Sequence, residues 1–302
     1  MDYKTSNSQK IKVIYILGSG RSGSTLIDIV LGNHPEIESK GELYDIIKKY
    51  ENNELCSCDT PSQICPFWID VINRWKEQTK IDDLAFYENL QKKVESLKGL
   101  SLLLKNKNNS NINDYIFYTQ ALYHSISTVS GKNIIVDSSK KPSRALAISM
   151  MPNVDLCLIH LVRDGRGVTY SGMKEGKKSL RFPLGWMYNN LLSEIVFYTI
   201  GSNKAQIRYE DFVNYPVKTL KLIGEVAGIN LSQVSEKLVN KKEIKINHLL
   251  AGNRIRNYKT IKLQPDYKWK EKLSYKNQLP FLIFAWPLGI KYGYIGRKTT
   301  KK

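Results

Sequence analysis

The first residues with chemical potential are Gly18-Ser-Gly-Arg-Ser-Gly-Ser-Thr25. Gly18 and Gly23 have the G-x-x-x-x-G spacing of a phosphate-binding loop. Glycines let successive backbone N–H groups curl toward an anion, and a helix N-terminus behind them adds unpaired donors and partial positive charge. Ser22, Ser24 and Thr25 add hydroxyls, and Arg21 is the only cation in the loop. In ATP- and GTP-binding loops a lysine follows the second glycine and serves the β- and γ-phosphates. Here Ser24 stands in that place. The missing lysine argues against a kinase or GTPase. It favours a ligand with one 5′-phosphate carrying a transferable group, for which Thr25 need not hold magnesium.

A second anion signal follows LCLIHLV. Arg163, Arg166 and, eight residues after Arg163, Ser171 lie where a strand passes into a helix. Guanidinium groups and a hydroxyl at a strand's C-terminal end suit a phosphate. The two signals together point to a ligand with two separated phosphates.

The elements that must hold these residues follow from periodicity. Lys12–Leu17, Asn133–Val136, Leu156–Val162 and Lys204–Arg208 read as short buried strands. Thr25–Leu31, Asp82–Leu104, Asp114–Val129 with Asp114 as cap, Phe182–Ile200 and Pro216–Ala227 read as helices. Lys105–Asn113 reads as a polar loop, and Phe281–Ile290 as a buried C-terminal helix. Strands alternating with helices imply an α/β fold with a mostly parallel sheet flanked by helices on both faces. Residues 1–302 are expected to form a single domain with a helical insertion at about 46–131. The polar ends, Met1–Lys10 and Arg297–Lys302, are expected to fray.

Of the 302 residues, 42% are hydrophobic and 25% charged, and the net charge is +18. That excess favours anionic partners. It is spread along the chain, with a modest cluster at Lys174, Lys177, Lys178 and Arg181, and lacks the dense stripe of a dedicated DNA binder. The N-terminus lacks a signal-peptide core, and Phe281–Ile290 is too short to span a bilayer, so a cytoplasmic protein without a membrane span is expected. Cys56, Cys58 and Cys65 are clustered as zinc ligands would be, but no fourth ligand is evident nearby. Reduced, partly buried thiols are the expectation, with a metal or a disulfide as the alternatives.

Taken together, GSGRSGSTL, LVRDGRGVTYS and RYEDFVNYPVKTLKLIGEVAGI resemble the sulfotransferase family that uses 3′-phosphoadenosine-5′-phosphosulfate (PAPS). The resemblance covers most of Lys12–Ile229 and continues weakly to the C-terminus. The loop is more similar to the carbohydrate, tyrosyl-protein and bacterial branch, where arginine precedes Ser-Gly-[Ser/Thr]-Thr, than to the cytosolic phenol and steroid enzymes, whose loop carries lysine. The resemblance implies that Gly20, Arg21, Ser22, Gly23, Ser24 and Thr25 hold the 5′-phosphosulfate. It implies Arg163 and Ser171 for the 3′-phosphate, Tyr209 as a further nucleotide contact, and Gly252, Asn253 and Arg254 as a late covering loop.

The catalytic set implied is Glu42, Arg21 and Lys140. Glu42 follows Gly41 as the base does in the tyrosyl-protein branch. Arg21 would stabilise the transferring sulfonate, and Lys140 or its neighbour Lys141 would reach the bridging oxygen. His34 is a rival base because cytosolic relatives use histidine, although His34-Pro35 reads as a helix-ending turn. His160 reads as a core residue, and His248, before the covering loop, stays open. PAPS would be the donor and 3′,5′-adenosine bisphosphate the product. No metal is required, and no residue is assigned to one. The acceptor is expected to be a hydroxyl or amine of a small molecule or glycan, or a peptide tyrosine, in a pocket shaped by the insertion and Leu180–Tyr198; no nucleic-acid partner is expected. A P-loop kinase with an atypical loop and a non-catalytic basic nucleotide- or nucleic-acid-binding protein are the competing classes.

Overall fold

In the computed structural model, residues 10–296 are described apart from 108, 175–180, 202, 259 and 262. Both expected frayed ends, apart from Lys10, and Lys177 and Lys178 lie outside the described residues.

Five parallel strands form the central sheet in the order β2-β3-β1-β4-β5. They are β1 (Ile11–Gly18), β2 (Ile37–Ser39), β3 (Ile134–Lys140), β4 (Val154–Val162) and β5 (Lys204–Arg208). α1 (Ser24–Leu31) joins β1 to β2. β1 is buried on both faces, which explains its nearly unbroken apolar run. Its side chains alternate between two cores. Val13, Tyr15 and Leu17 face one, and Ile14 and Ile16 face the other with α1.

Between β2 and β3 lie α2 (Ile46–Glu51), α3 (Pro66–Thr79), α4 (Leu84–Val94), α5 (Leu97–Leu104) and α6 (Ser110–Ser130). The single helix expected over Asp82–Leu104 is therefore two. The break is at Ser96, whose hydroxyl accepts from Gly99 N at 3.0 Å and caps α5. The apolar spacing runs on across that break and hides it. The loop expected through Asn113 is also too long. α6 starts at Ser110, capped by Asn109, whose side chain accepts from Asn111 N at 3.0 Å, and Asp114 lies inside the helix.

A buried ion pair ties these helices to the sheet. α7 (Pro142–Ile148) carries Arg144, which donates through Nε to Asp137 of β3 at 2.9 Å. Its Nη1 donates to Glu95 at 3.2 Å and to the Tyr115 hydroxyl at 3.0 Å. Arg144 and Asp137 are wholly buried, so each needs these partners.

After β4 come α8 (Gly165–Met173) and α9 (Arg181–Thr199). β5 is followed by α10 (Tyr209–Asn214), α11 (Pro216–Ala227) and α12 (Ser232–Val239). A two-stranded antiparallel pair, β6 (Ile244–Lys245) and β7 (Thr260–Ile261), precedes α13 (Trp269–Lys272). The helix expected at Phe281–Ile290 is two short ones, α14 (Tyr275–Phe284) and α15 (Trp286–Lys291). Phe281, Ala285 and Leu288 pack with Trp186, while Ile283, Phe284, Trp286 and Ile290 are exposed, so the segment is only half buried. Among the described residues, no helix is long and apolar enough to cross a membrane.

Candidate functional site

The C-terminal ends of all five strands converge on one side of the sheet. That is where open parallel sheets bind ligands. β1 ends at Gly18, and α1 opens at Ser24 without a side-chain cap, leaving its first turn for a ligand. The Ser22 hydroxyl is buried without a hydrogen-bond partner, as expected of a group kept for an anion. Gly23 lies flat against Tyr209, where a Cβ would stand 2.4 Å from the ring. These features fit a bound 5′-phosphate group.

β2 leads into Gly41-Glu42. The Glu42 backbone precedes the short 3-10 turn Leu43–Asp45, but its side chain does not cap that turn. β3 brings Lys140. Tyr15 pairs with Asp137 and Leu17 with Lys140, so β3 carries one extra residue at this point. Such a bulge re-aims a side chain next to a site. Lys140 Nζ lies 2.8 Å from Glu42 Oε1, 3.2 Å from Ser24 Oγ and 2.7 Å from Ser138 O. Lys141 instead lies over the Tyr44 ring at 4.2 Å.

β4 ends before Arg163, whose Nη1 donates to Arg21 O at 3.1 Å. Its guanidinium stacks 4.3 Å from the Tyr209 ring centre and pairs with Asp266 at 3.3 Å. Burial pushes the Tyr209 phenol up from its usual range. Arg166 turns away and grips Asp164 at 2.7 Å and Tyr294 O at 2.9 Å. The late loop docks on the first one, with Asn253 N donating to Thr25 Oγ1 at 3.2 Å.

These groups enclose a cavity of about 430 Å³. Its wall includes Gly20, Arg21, Gly23, Ser24, Thr25, Glu42, Lys140, Arg163, Ser171, Tyr209, Gly252 and Asn253. Ser22 lies beneath the loop rather than in the wall, and Arg254 is exposed outside it. Leu26, Ile255 and Asp266 complete the wall without having been singled out in the sequence. Leu26 and Ile255 adjoin motif residues, whereas Asp266, in a stretch without regular secondary structure, offers no sequence signal. A larger groove of about 830 Å³ between α11 and α12 has mainly apolar walls and lies away from the strand ends.

None of the histidines lines the cavity. His34 Nε2 meets Asn230 O at 3.1 Å behind α1. His160 sits in the core against Asn190 and Gln206, and burial pushes it down to about 4. His248 Nδ1 faces Cys65 at 3.3 Å; burial first, and Lys40 second, lower its affinity for protons.

Residues 13–233 match the sequence profile of the sulfotransferase family. No curated protein matches the chain. Among solved structures, it is similar to the sulfotransferase domain of the Synechococcus PCC 7002 olefin synthase, with 19% identity, 95% of this chain and 97% of that one covered, and a TM-score of 0.51. A sulfotransferase domain from the curacin biosynthetic pathway gives 18% identity, coverage of 91% and 97%, and a TM-score of 0.48. Sulfotransferase STF9 from Mycobacterium avium gives 12% identity, coverage of 92% and 77%, and a TM-score of 0.45.

Proposed function

The chain belongs to the sulfotransferase family, and from that premise we propose that it transfers a sulfuryl group from PAPS to a hydroxyl or amine of a small-molecule or glycan acceptor, with Glu42 as the base. PAPS supplies a sulfuryl group already activated on a 5′-phosphate. In this reading Gly20–Thr25 hold the 5′ end through loop N–H groups and hydroxyls. Arg163 and Ser171 take the 3′-phosphate, Tyr209 backs the nucleotide, and Gly252 and Asn253 cover it. Exposed Arg254 joins that cover only if the loop moves. Arg21 ahead of Ser22-Gly23-Ser24-Thr25 supports placing the chain in the carbohydrate, tyrosyl-protein and bacterial branch. The same reading takes residues 1–302 as one domain, with α2–α6 as its insertion.

The observation that carries the reading is the chain of contacts from Ser24 through Lys140 to Glu42, at 3.2 Å and 2.8 Å. It sets one cation between the anion loop and a carboxylate in the same cavity. Glu42 is then within reach of an acceptor hydroxyl placed beside the loop, and takes its proton as the new bond forms. Lys140 offsets charge growing on the bridging oxygen, and Arg21 offsets it on the sulfonate. Nothing in this scheme calls on a metal in the cavity.

Calorimetry on the full chain with 3′,5′-adenosine bisphosphate, Mg-ATP and a DNA oligomer tests the donor site. Metal-independent binding of the bisphosphate, well ahead of the others, is expected; preference for Mg-ATP would overturn the reading. For the base, Glu42→Gln should leave bisphosphate affinity nearly unchanged and lower kcat by about 10²-fold or more. Turnover surviving in that variant would assign the proton to another group.

A further inference from the structure

Outside the cavity, four metal-ligating side chains meet. The Sγ atoms of Cys56, Cys58 and Cys65 and a ring nitrogen of His248 all lie within 4.8 Å of one another. The Cys58 and Cys65 sulfurs are 3.6 Å apart, and Cys65 Sγ is 3.3 Å from His248 Nδ1. All four cysteines are free. The fourth donor was hidden from sequence spacing because it lies 183 positions beyond Cys65.

We propose that Cys56, Cys58, Cys65 and His248 bind one zinc ion, which fastens the helical insertion to the loop that covers the cavity. Three sulfurs and one imidazole make a closed four-ligand set of the kind found in structural zinc sites. With Zn–S of about 2.3 Å and Zn–N of about 2.0 Å, a tetrahedron has edges of about 3.5–3.8 Å. The two short separations are already near that size, and the widest closes with movement of about 1 Å. Magnesium and calcium prefer oxygen ligands, which this set lacks.

The surroundings suit a fixed site. Cys56 N donates to Thr60 O at 2.9 Å and Asp59 N to Cys56 O at 3.0 Å, folding Cys56–Thr60 into a tight knuckle. Cys65 is the residue just before α3. His248 stacks on Phe67 at 5.5 Å, and its carbonyl accepts from Trp68 Nε1 at 3.0 Å. Ser57 and Leu249 exchange two hydrogen bonds, at 3.0 Å and 2.7 Å, so the knuckle and the late loop are already paired beside the four ligands. Binding replaces each S–H bond with an S–Zn bond and releases three protons to solvent. The resulting centre carries one net negative charge. Buried Lys40, 3.7 Å above the Phe67 ring, and Arg256, bonded to Leu55 O and Leu249 O, are the cations nearby.

The test uses the full chain, purified with a phosphine reductant and no chelator. Elemental analysis should find about one zinc per chain. Replacing the zinc with cobalt should give thiolate-to-cobalt charge transfer and the intense visible bands of a tetrahedral site. Cys58→Ser and His248→Asn should lower zinc content or affinity at least about tenfold, while Cys157→Ala, in β4, should leave both unchanged. Stripping zinc from the native chain should lower Tm by about 5 °C or more. Zinc below about a tenth of an equivalent with no tetrahedral cobalt spectrum in the native, fully reduced chain overturns the proposal, whatever the variants do. So does a Cys58–Cys65 disulfide in protein purified without reductant, or stoichiometric binding of a different metal.

Discussion

Besides stacking on Tyr209, the Arg163 guanidinium bonds the Arg21 carbonyl and the Asp266 carboxylate, the latter about one-third exposed. If Arg163 takes the 3′-phosphate as proposed, that phosphate must compete with the carboxylate. Arg163→Ala should therefore weaken 3′,5′-adenosine bisphosphate binding by about 1.5–3 kcal/mol, the scale of a lost charged hydrogen bond. Asp266→Asn should tighten it several-fold, because the competing charge is removed. Calorimetry on both variants checks the pair. If Asp266→Asn weakens binding as much as Arg163→Ala, the aspartate positions the arginine instead of competing for it. The two residues differ in how far the sequence announces them. Arg163 closes an apolar strand and opens a helix, which is a local signal. Asp266 reaches the site only through tertiary packing, and nothing around it in the chain marks that meeting.

At the scale of elements, short turns aim the strand ends. Gly41 links β2 to Glu42 with φ of 70°, and a Cβ there would stand 2.2 Å from the Ala251 carbonyl oxygen in the late loop. Gly131 has nearly the same φ, 69°, with nothing within 4 Å. Gly131→Ala should therefore cost only the left-handed backbone penalty, about 1–2 kcal/mol. Gly41→Ala should cost more and also lower kcat/KM by displacing Glu42 and the covering loop. Urea unfolding and steady-state kinetics on the two variants separate strain from collision; equal effects would show that the late loop yields freely. β1, β3 and β4 were legible from their apolar runs, because a parallel strand buried on both faces admits little else, and β5 was legible as well; β2, only Ile37-Glu-Ser39, carries no such run and was missed. Helix ends were less so. Ser96 caps a helix where continuous apolar spacing hid any break, and Asn109 caps one within a polar run from which Asp114 reads as the cap; the outcome depends on which backbone N–H groups tertiary packing leaves open.

At the scale of the molecule, the edge of the sheet opposite β2 is held by a polar cluster. His160 of β4 meets Asn190 of α9 at 3.3 Å and Gln206 of β5 at 3.0 Å, with Glu194, Lys291 and Tyr292 around them. Burial holds His160 neutral, down to about 4 against an unfolded value of about 6.5. The unfolded chain binds this proton first, so the stability is full above about pH 6.5 and is lost as pH falls toward 4. The loss is about 3 kcal/mol at pH 4. Urea unfolding between those pH values should give His160→Gln a shallower acid slope than the native chain by that amount. Matching slopes would show that other carboxylates alone set acid sensitivity. The net charge of +18 suggested an anionic ligand, but its spread along the chain gave no location. The strand order has one more consequence, for how the chain leaves the ribosome. β1 is made first, yet its partners in the sheet begin only at Ile134 and Val154. The anion loop's own strand therefore emerges with both hydrogen-bonding edges unpaired and with only α1 made to cover one of its apolar faces, while the helices of the insertion form from nearby residues. Its cavity closes only after Gly252 and Asp266 have been synthesised. The nascent chain thus carries an unpaired, aggregation-prone strand until residue 134 appears, which makes this protein a strong candidate for chaperone capture over that interval.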